Sequence, residues 1–302
     1  MKAIQLFCFF LILYGCKNKD SSSAIPSEPT GTIAFTSSRD GNPEIYTVKT
    51  TGADLNNVTN HPGLDYSISG SMDGSFMAFY SDRDGNTEIY LIDTDGSNLR
   101  RITDHPARDI LPSISPDGRK IVFMSDRDSM SRDVYLMNID GTDVKALTSN
   151  KDYEESPNWS PDGNKIVFTR QIREEGDTTH AANGELFTMN LDGSDVKRLT
   201  HKPGFDSGAA YSPDGKQIAF YGLENDLWDI FLINADGSNT INLTKDSTEC
   251  YSPSWSPDGK WITYVAGNSE NYEIWMIHIE TGKKMRLTDS PGRDEQPEWL
   301  KL

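Results

Sequence analysis

Short apolar runs punctuate an otherwise polar chain, and they recur at intervals of about 44 residues. Ile33-Ala34-Phe35, Met77-Ala78-Phe79, Ile121-Val122-Phe123, Ile166-Val167-Phe168, Ile218-Ala219-Phe220 and Ile262-Thr263-Tyr264 are six copies of one run. Four follow a Ser-Pro-Asp-Gly turn, at 115–118, 160–163, 212–215 and 256–259, and the Met77 copy follows a degenerate turn at 71–74. Further on in each copy comes a second run: Ile45-Tyr46, Ile89-Tyr90, Val134-Tyr135, Leu186-Phe187, Ile230-Phe231 and Ile274-Trp275. An apolar-Thr pair closes each copy, from Val58-Thr59 to Leu287-Thr288. The pattern predicts four short strands per unit. In the third complete unit they span 154–159, 165–169, 185–189 and 196–200, with a hairpin signal at Asp192-Gly193.

The middle strands are apolar on both faces, as in Ile89-Tyr90-Leu91-Ile92. Strict alternation would mark a sheet wetted on one side, whereas continuous runs mark sheets covered on both. Small four-stranded sheets packed face to face around an axis meet that requirement, and no amphipathic helical stretch competes. The prediction is an all-β, six-bladed β-propeller. Nothing like a first strand precedes Ile33, while Gln296-Pro297-Glu298-Trp299 matches Ser156-Pro157-Asn158-Trp159 and Ser252-Pro253-Ser254-Trp255. The C-terminal strand should therefore complete the first blade.

Ser81-Asp82-Arg83-Asp84-Gly85-Asn86-Thr87-Glu88-Ile89-Tyr90 and Ser38-Arg39-Asp40-Gly41-Asn42-Pro43-Glu44-Ile45-Tyr46, with the Ser-Pro-Asp-Gly turns and Leu-Thr endings, resemble the propeller repeats of the TolB-like family. The resemblance covers about residues 31–302 and implies a binding module of the bacterial envelope. Residues 1–15 read as a signal peptide: Lys2 is basic, and positions 3–14 are almost wholly apolar yet too short to span a bilayer. Leu13-Tyr14-Gly15-Cys16 resembles the lipobox of bacterial lipoproteins, which implies lipidation of Cys16. Lys17 rather than Asp follows it, which in that family implies the outer membrane. Residues 16–30 are Ser- and Pro-rich and read as a flexible tether. With Cys8 removed and Cys16 lipidated, Cys250 has no disulfide partner.

Acidic residues outnumber basic ones 46 to 29, a net charge of −17. That balance argues against nucleic acid, whose affinity comes from Lys and Arg on phosphates, and permits basic peptides or cations. Six residues before each turn Ser stand Asp65, Asp109, Glu154, Asp206 and Cys250, with Asp294 in register on the last strand and Glu249 and Glu295 as neighbours. At the start of an innermost strand these residues would form an acidic ring at one mouth of the channel. Five like charges need counter-charge. Arg39, Arg83 and Arg127, in the loops after the second strands, could supply it by pairing between blades, which is repeat architecture and nothing more. The loops of units four to six carry no such Arg, which leaves room for a cation, calcium being the ion such oxygen ligands suit, or for a basic segment. His61 and His105 follow the fourth strands and read either as metal ligands or as turn residues. One insertion, residues 170–184, carries His180 and is a candidate functional loop. No Gly-x-Ser-x-Gly, His-Glu-x-x-His or phosphate loop is present.

Two functions follow. The first is a non-enzymatic module, anchored to the envelope by lipid alone, that binds an envelope protein or peptide at the acidic mouth. The second is a polysaccharide-acting hydrolase or lyase that uses channel carboxylates with or without a metal. An enzyme should show an open, asymmetric pocket with one carboxylate pair unpaired with arginine, whereas a channel in which every ring acid pairs internally favours the binding reading.

Overall fold

Six four-stranded antiparallel sheets stand around one axis in the computed structural model, which describes residues 28–300 except 129–130, 173–182, 203, 246–247 and 269–270. The expected leader, Cys16 and residues 173–182 of the insertion, His180 among them, lie outside the described residues. Blades two to six each take four consecutive strands, running outward from the axis. Blade one joins the two ends of the chain: the C-terminal strand Asp294–Leu300 is its innermost strand and pairs with Thr32–Ser37, Thr32 opposite Leu300 and Ser37 opposite Asp294. The predicted closure is therefore present.

Hydrophobic burial between blades holds the ring. Ile33, Phe35 and Trp299 of blade one pack with Trp261, Val265 and Ile274 of blade six, and each further junction has its own cluster. Phe35, Phe79, Phe123, Phe168 and Phe220 are fully buried at equivalent positions. Burying such a ring is worth roughly 1.5–3 kcal/mol relative to leaving it exposed.

Polar motifs of the repeat serve the backbone. In each blade the Thr of the apolar-Thr pair accepts the N–H of residue 45, 89, 134, 186, 230 or 274 at 2.9–3.0 Å. The same hydroxyl donates to the buried carboxylate just before that N–H: Glu44, Glu88, Asp133, Glu185, Asp229 or Glu273. One hydroxyl thus satisfies an amide and a carboxylate that would be costly to bury alone. The Thr turns inward for this, so the fourth strand is cut short. The fourth strand of blade four is Lys197–Arg198 rather than the predicted 196–200. These outermost strands are two or three residues long, and four of the six carry basic residues such as Arg100, Arg101, Lys145 and Lys284, which blunts those sheet edges.

Candidate functional site

Five of the six ring positions hold buried carboxylates. Asp65, Asp109, Glu154 and Asp294 are 0 % exposed and Asp206 1 %. Arg83 reaches both oxygens of Asp65 at 2.8 Å, Arg39 both of Asp294 at 2.9 and 3.0 Å, and Arg127 one of Asp109 at 2.5 Å. Each pair lies within one blade, not between blades as expected. Arg170 supplies blade four: it stands where the earlier blades have Ser37, Ser81 and Ser125, and reaches Glu154 at 2.5 Å. The expectation that blades four to six lack a counter-ion is thus corrected for blade four. In blade five Lys202 stands 3.9 Å from Asp206, and in blade six Cys250 is buried and needs no cation. Each of the four guanidiniums also lies 4.9–5.5 Å from the centroids of two rings, such as Phe79 and Tyr90 for Arg83.

These acids therefore do not form an open ring at the mouth; they are enclosed and occupied by the protein's own cations. Asp206 is the weakest case. Burial pushes its carboxyl up to about 7 against the pull of Lys202. Burial also raises Asp294, opposed by Ser37 and Arg39.

His61 and His105 are turn residues. The Nδ1 of His61 accepts the N–H of Gly63 at 3.0 Å, and that of His105 accepts the N–H of Ala107 at 3.1 Å. Their own backbone N–H groups donate to Glu44 and Glu88. That engagement of Nδ1 is the turn role read from sequence as the alternative to metal ligation. Among the described residues no group of three or more His, Cys, Asp or Glu converges to hold a metal ion.

The channel is lined by the innermost strands, and each of these slips register once. At the slip Ser67, Leu111, Ser156, Gly208, Ser252 and Gln296 adopt left-handed backbone, with φ between 50 and 61°. Beyond it, Ser69, Ser113, Asn158, Ala210, Ser254 and Glu298 form the waist of the channel. The waist is stitched across blades: Ser69 Oγ accepts the N–H of Ile114 at 3.0 Å, and Ser254 Oγ accepts that of Trp299 at 3.1 Å and donates to Glu298 at 3.0 Å.

Strand residues alternate faces, so the residue after each ring position points the other way. That column is Tyr66, Ile110, Glu155, Ser207, Tyr251 and Glu295. Beside it opens a cavity of about 290 Å³ lined by Tyr66, Tyr221, Tyr251, Val265, Tyr272, Ser252, Arg293, Glu295 and Gln296. The rings form an arc: Tyr251 lies 5.5 Å from both Tyr221 and Trp228 and 5.8 Å from Tyr272, between centroids. Tyr66 donates to Glu295 and Tyr272 to Glu249, each at 2.5 Å. Arg293 reaches Glu295 at 2.6 Å and lies 4.6 Å over Tyr272. Burial, reinforced by the nearby carboxylates, raises the phenols of Tyr66, Tyr251 and Tyr272, and brings Tyr221 to about 12, so they stay protonated and donate. Burial also raises Glu155, partly offset by Arg132.

Of the acids expected at the mouth, only Glu249 and Glu295 belong to this site. The tyrosines, Trp228 and Arg293 escaped the reading of the repeat. For Tyr66 and Tyr251 the signal was the adjacent column, whose residues differ from blade to blade; Tyr221, Trp228, Tyr272 and Arg293 lie outside it.

A family model described as the TolB beta propeller domain matches residues 71–181 and 176–300. No curated protein sequence matches the chain. Among solved structures it is similar to TolB from Acinetobacter baumannii, with 22 % identity, a TM-score of 0.77, and coverage of 92 % of this chain and 68 % of that one. A putative TolB from Agrobacterium tumefaciens is also 22 % identical, with a TM-score of 0.70 over 87 % of this chain and 91 % of its own. An oligogalacturonate lyase in complex with manganese is 19 % identical, with a TM-score of 0.57 over 86 % and 74 %.

Proposed function

The chain belongs to the TolB beta-propeller family, and from that premise we propose that it is a non-enzymatic binding module of the cell envelope that grips a protein or peptide at one mouth of its channel. The observation that carries this reading is the division of labour among the acids. Those repeated from blade to blade are enclosed with internal cations, whereas the unrepeated residues around Tyr251 line an open, asymmetric, aromatic cavity. Aromatic residues with a few convergent polar groups are typical of recognition surfaces. A polysaccharide-acting hydrolase or lyase would need a carboxylate pair at liberty to act. The ring acids are committed elsewhere, and Glu249 and Glu295 each accept a tyrosine hydroxyl.

Anchoring rests on the sequence Leu13-Tyr14-Gly15-Cys16. In this reading the acyl chains at Cys16 are the protein's link to the outer membrane, and nucleic acid is no partner of so acidic a chain. A photo-crosslinking residue placed at Tyr251 should capture a discrete envelope protein in living cells, and one at the exposed Val144 on the rim should not. Equal capture from both positions, or none from Tyr251, would overturn the reading.

A further inference from the structure

We propose that the tyrosine-lined cavity receives a basic side chain, lysine or arginine, of the bound peptide. This rests on the reading of the mouth as a peptide-binding site. The argument comes from what this fold does with guanidinium groups elsewhere. Four times, in blades one to four, an arginine lies against two aromatic rings with a carboxylate in contact. The mouth offers the same components turned to solvent: Tyr251, Tyr66 and Tyr221 are half-buried, and Glu295 sits among them.

Arg293 already shows how a guanidinium fits there, over Tyr272 and against Glu295, yet its side chain is 48 % exposed at the rim. Charge points the same way. Glu295 and Arg293 cancel, and Glu155, beyond Tyr221, is offset by Arg132, which leaves the carboxylate of Glu249 at the hydroxyl of Tyr272. A cation entering this region meets aromatic faces and a surplus carboxylate, and an anion meets the reverse of what it needs. The cavity, about 290 Å³, suits one long side chain and not a folded element.

The test is binding of blocked pentapeptides, Gly-Gly-X-Gly-Gly with X as Lys, Arg, Gln or Glu, to the purified full-length chain, followed by saturation-transfer NMR. Lys and Arg peptides should bind at least about tenfold more tightly than Gln or Glu peptides, a difference of about 1.4 kcal/mol. Tyr251→Ala should abolish that preference and Tyr251→Phe should keep it. Arg293→Gln removes the resident cation and should tighten basic peptides about threefold. Because Tyr251→Ala could disturb packing, Glu295→Gln provides a second variant and should reduce the preference with an unchanged melting temperature. Equal binding of all four peptides overturns the proposal, as does weaker binding in Arg293→Gln, or preferential binding of a neutral or acidic oligosaccharide. If crosslinking at Tyr251 persists while the peptide preference fails, the mouth remains a binding site and only its basic ligand is rejected.

Discussion

At the scale of single residues, the five buried carboxylates test how well a fold can hold charge away from water. Asp65 has a guanidinium on both oxygens. Asp206 has an ammonium at 3.9 Å, beyond hydrogen-bond reach, and that ammonium lies 3.7 Å over the ring of Phe231. The folded chain therefore holds the Asp206 proton more tightly than the unfolded chain, its carboxyl rising from 3.8 to about 7. A raised carboxyl favours folding at low pH. Its full benefit is present below about 4 and is lost as pH rises through about 7, a change of up to about 4 kcal/mol at roughly 1.4 kcal/mol per unit. Urea unfolding at pH 5 and pH 8 should show the native chain weaker at pH 8. Asp206→Asn, neutral throughout, should remove most of that difference. An unchanged difference in the variant would assign it to another group.

At the scale of the strand, the left-handed residue in each innermost strand is the device that shapes the mouth. Leu111 adopts φ 52° with a branched side chain, and Gly208 adopts 61° with none. A Cβ on Gly208 would stand 2.5 Å from Cε1 of Tyr221. Gly208→Ala should therefore displace the Tyr221 ring, seen as a shift of its NMR signals, and weaken ligand binding at the mouth. Leu111→Gly, at a position that does not line the tyrosine cavity, should leave binding unchanged and relieve strain of about 1 kcal/mol. The strands themselves were legible in the chain, because a unit read six times over averages out local ambiguity. The site was not, for the same reason. Aligning units finds what recurs, and the recurring acids Asp65, Asp109 and Glu154 turned out to bind their own blades. Tyr66, Glu155 and Tyr251 stand one position along and differ from blade to blade, so the alignment hides them. Burial was equally invisible: a charged residue at a strand end looks solvated until Arg170 appears opposite Glu154. For His61 and His105 the sequence left a turn role and metal ligation side by side, and the turn role is visible only once Nδ1 is seen to accept the N–H two residues on.

At the scale of the whole molecule, ring closure decides whether the mouth exists. Trp299 and Leu300 are 2 % and 1 % exposed, and the strand that carries them is the inner edge of blade one. Deleting residues 296–302 removes a buried Trp, worth about 3–5 kcal/mol, and several ladder hydrogen bonds at about 1 kcal/mol each. That is most of the stability of an ordinary domain, so the truncated chain should melt far lower or not fold. Unchanged melting by circular dichroism would show that the ring does not depend on this strand. The same closure has a kinetic side. Ser37 contacts Asp294 across 257 positions of chain, so the opening strand, paired on one side with Glu44–Lys49, has no partner for its inner edge until Asp294–Leu300 is made. Long-range pairings of this kind are slow to form, and until then the edge of blade one is left open to chance association.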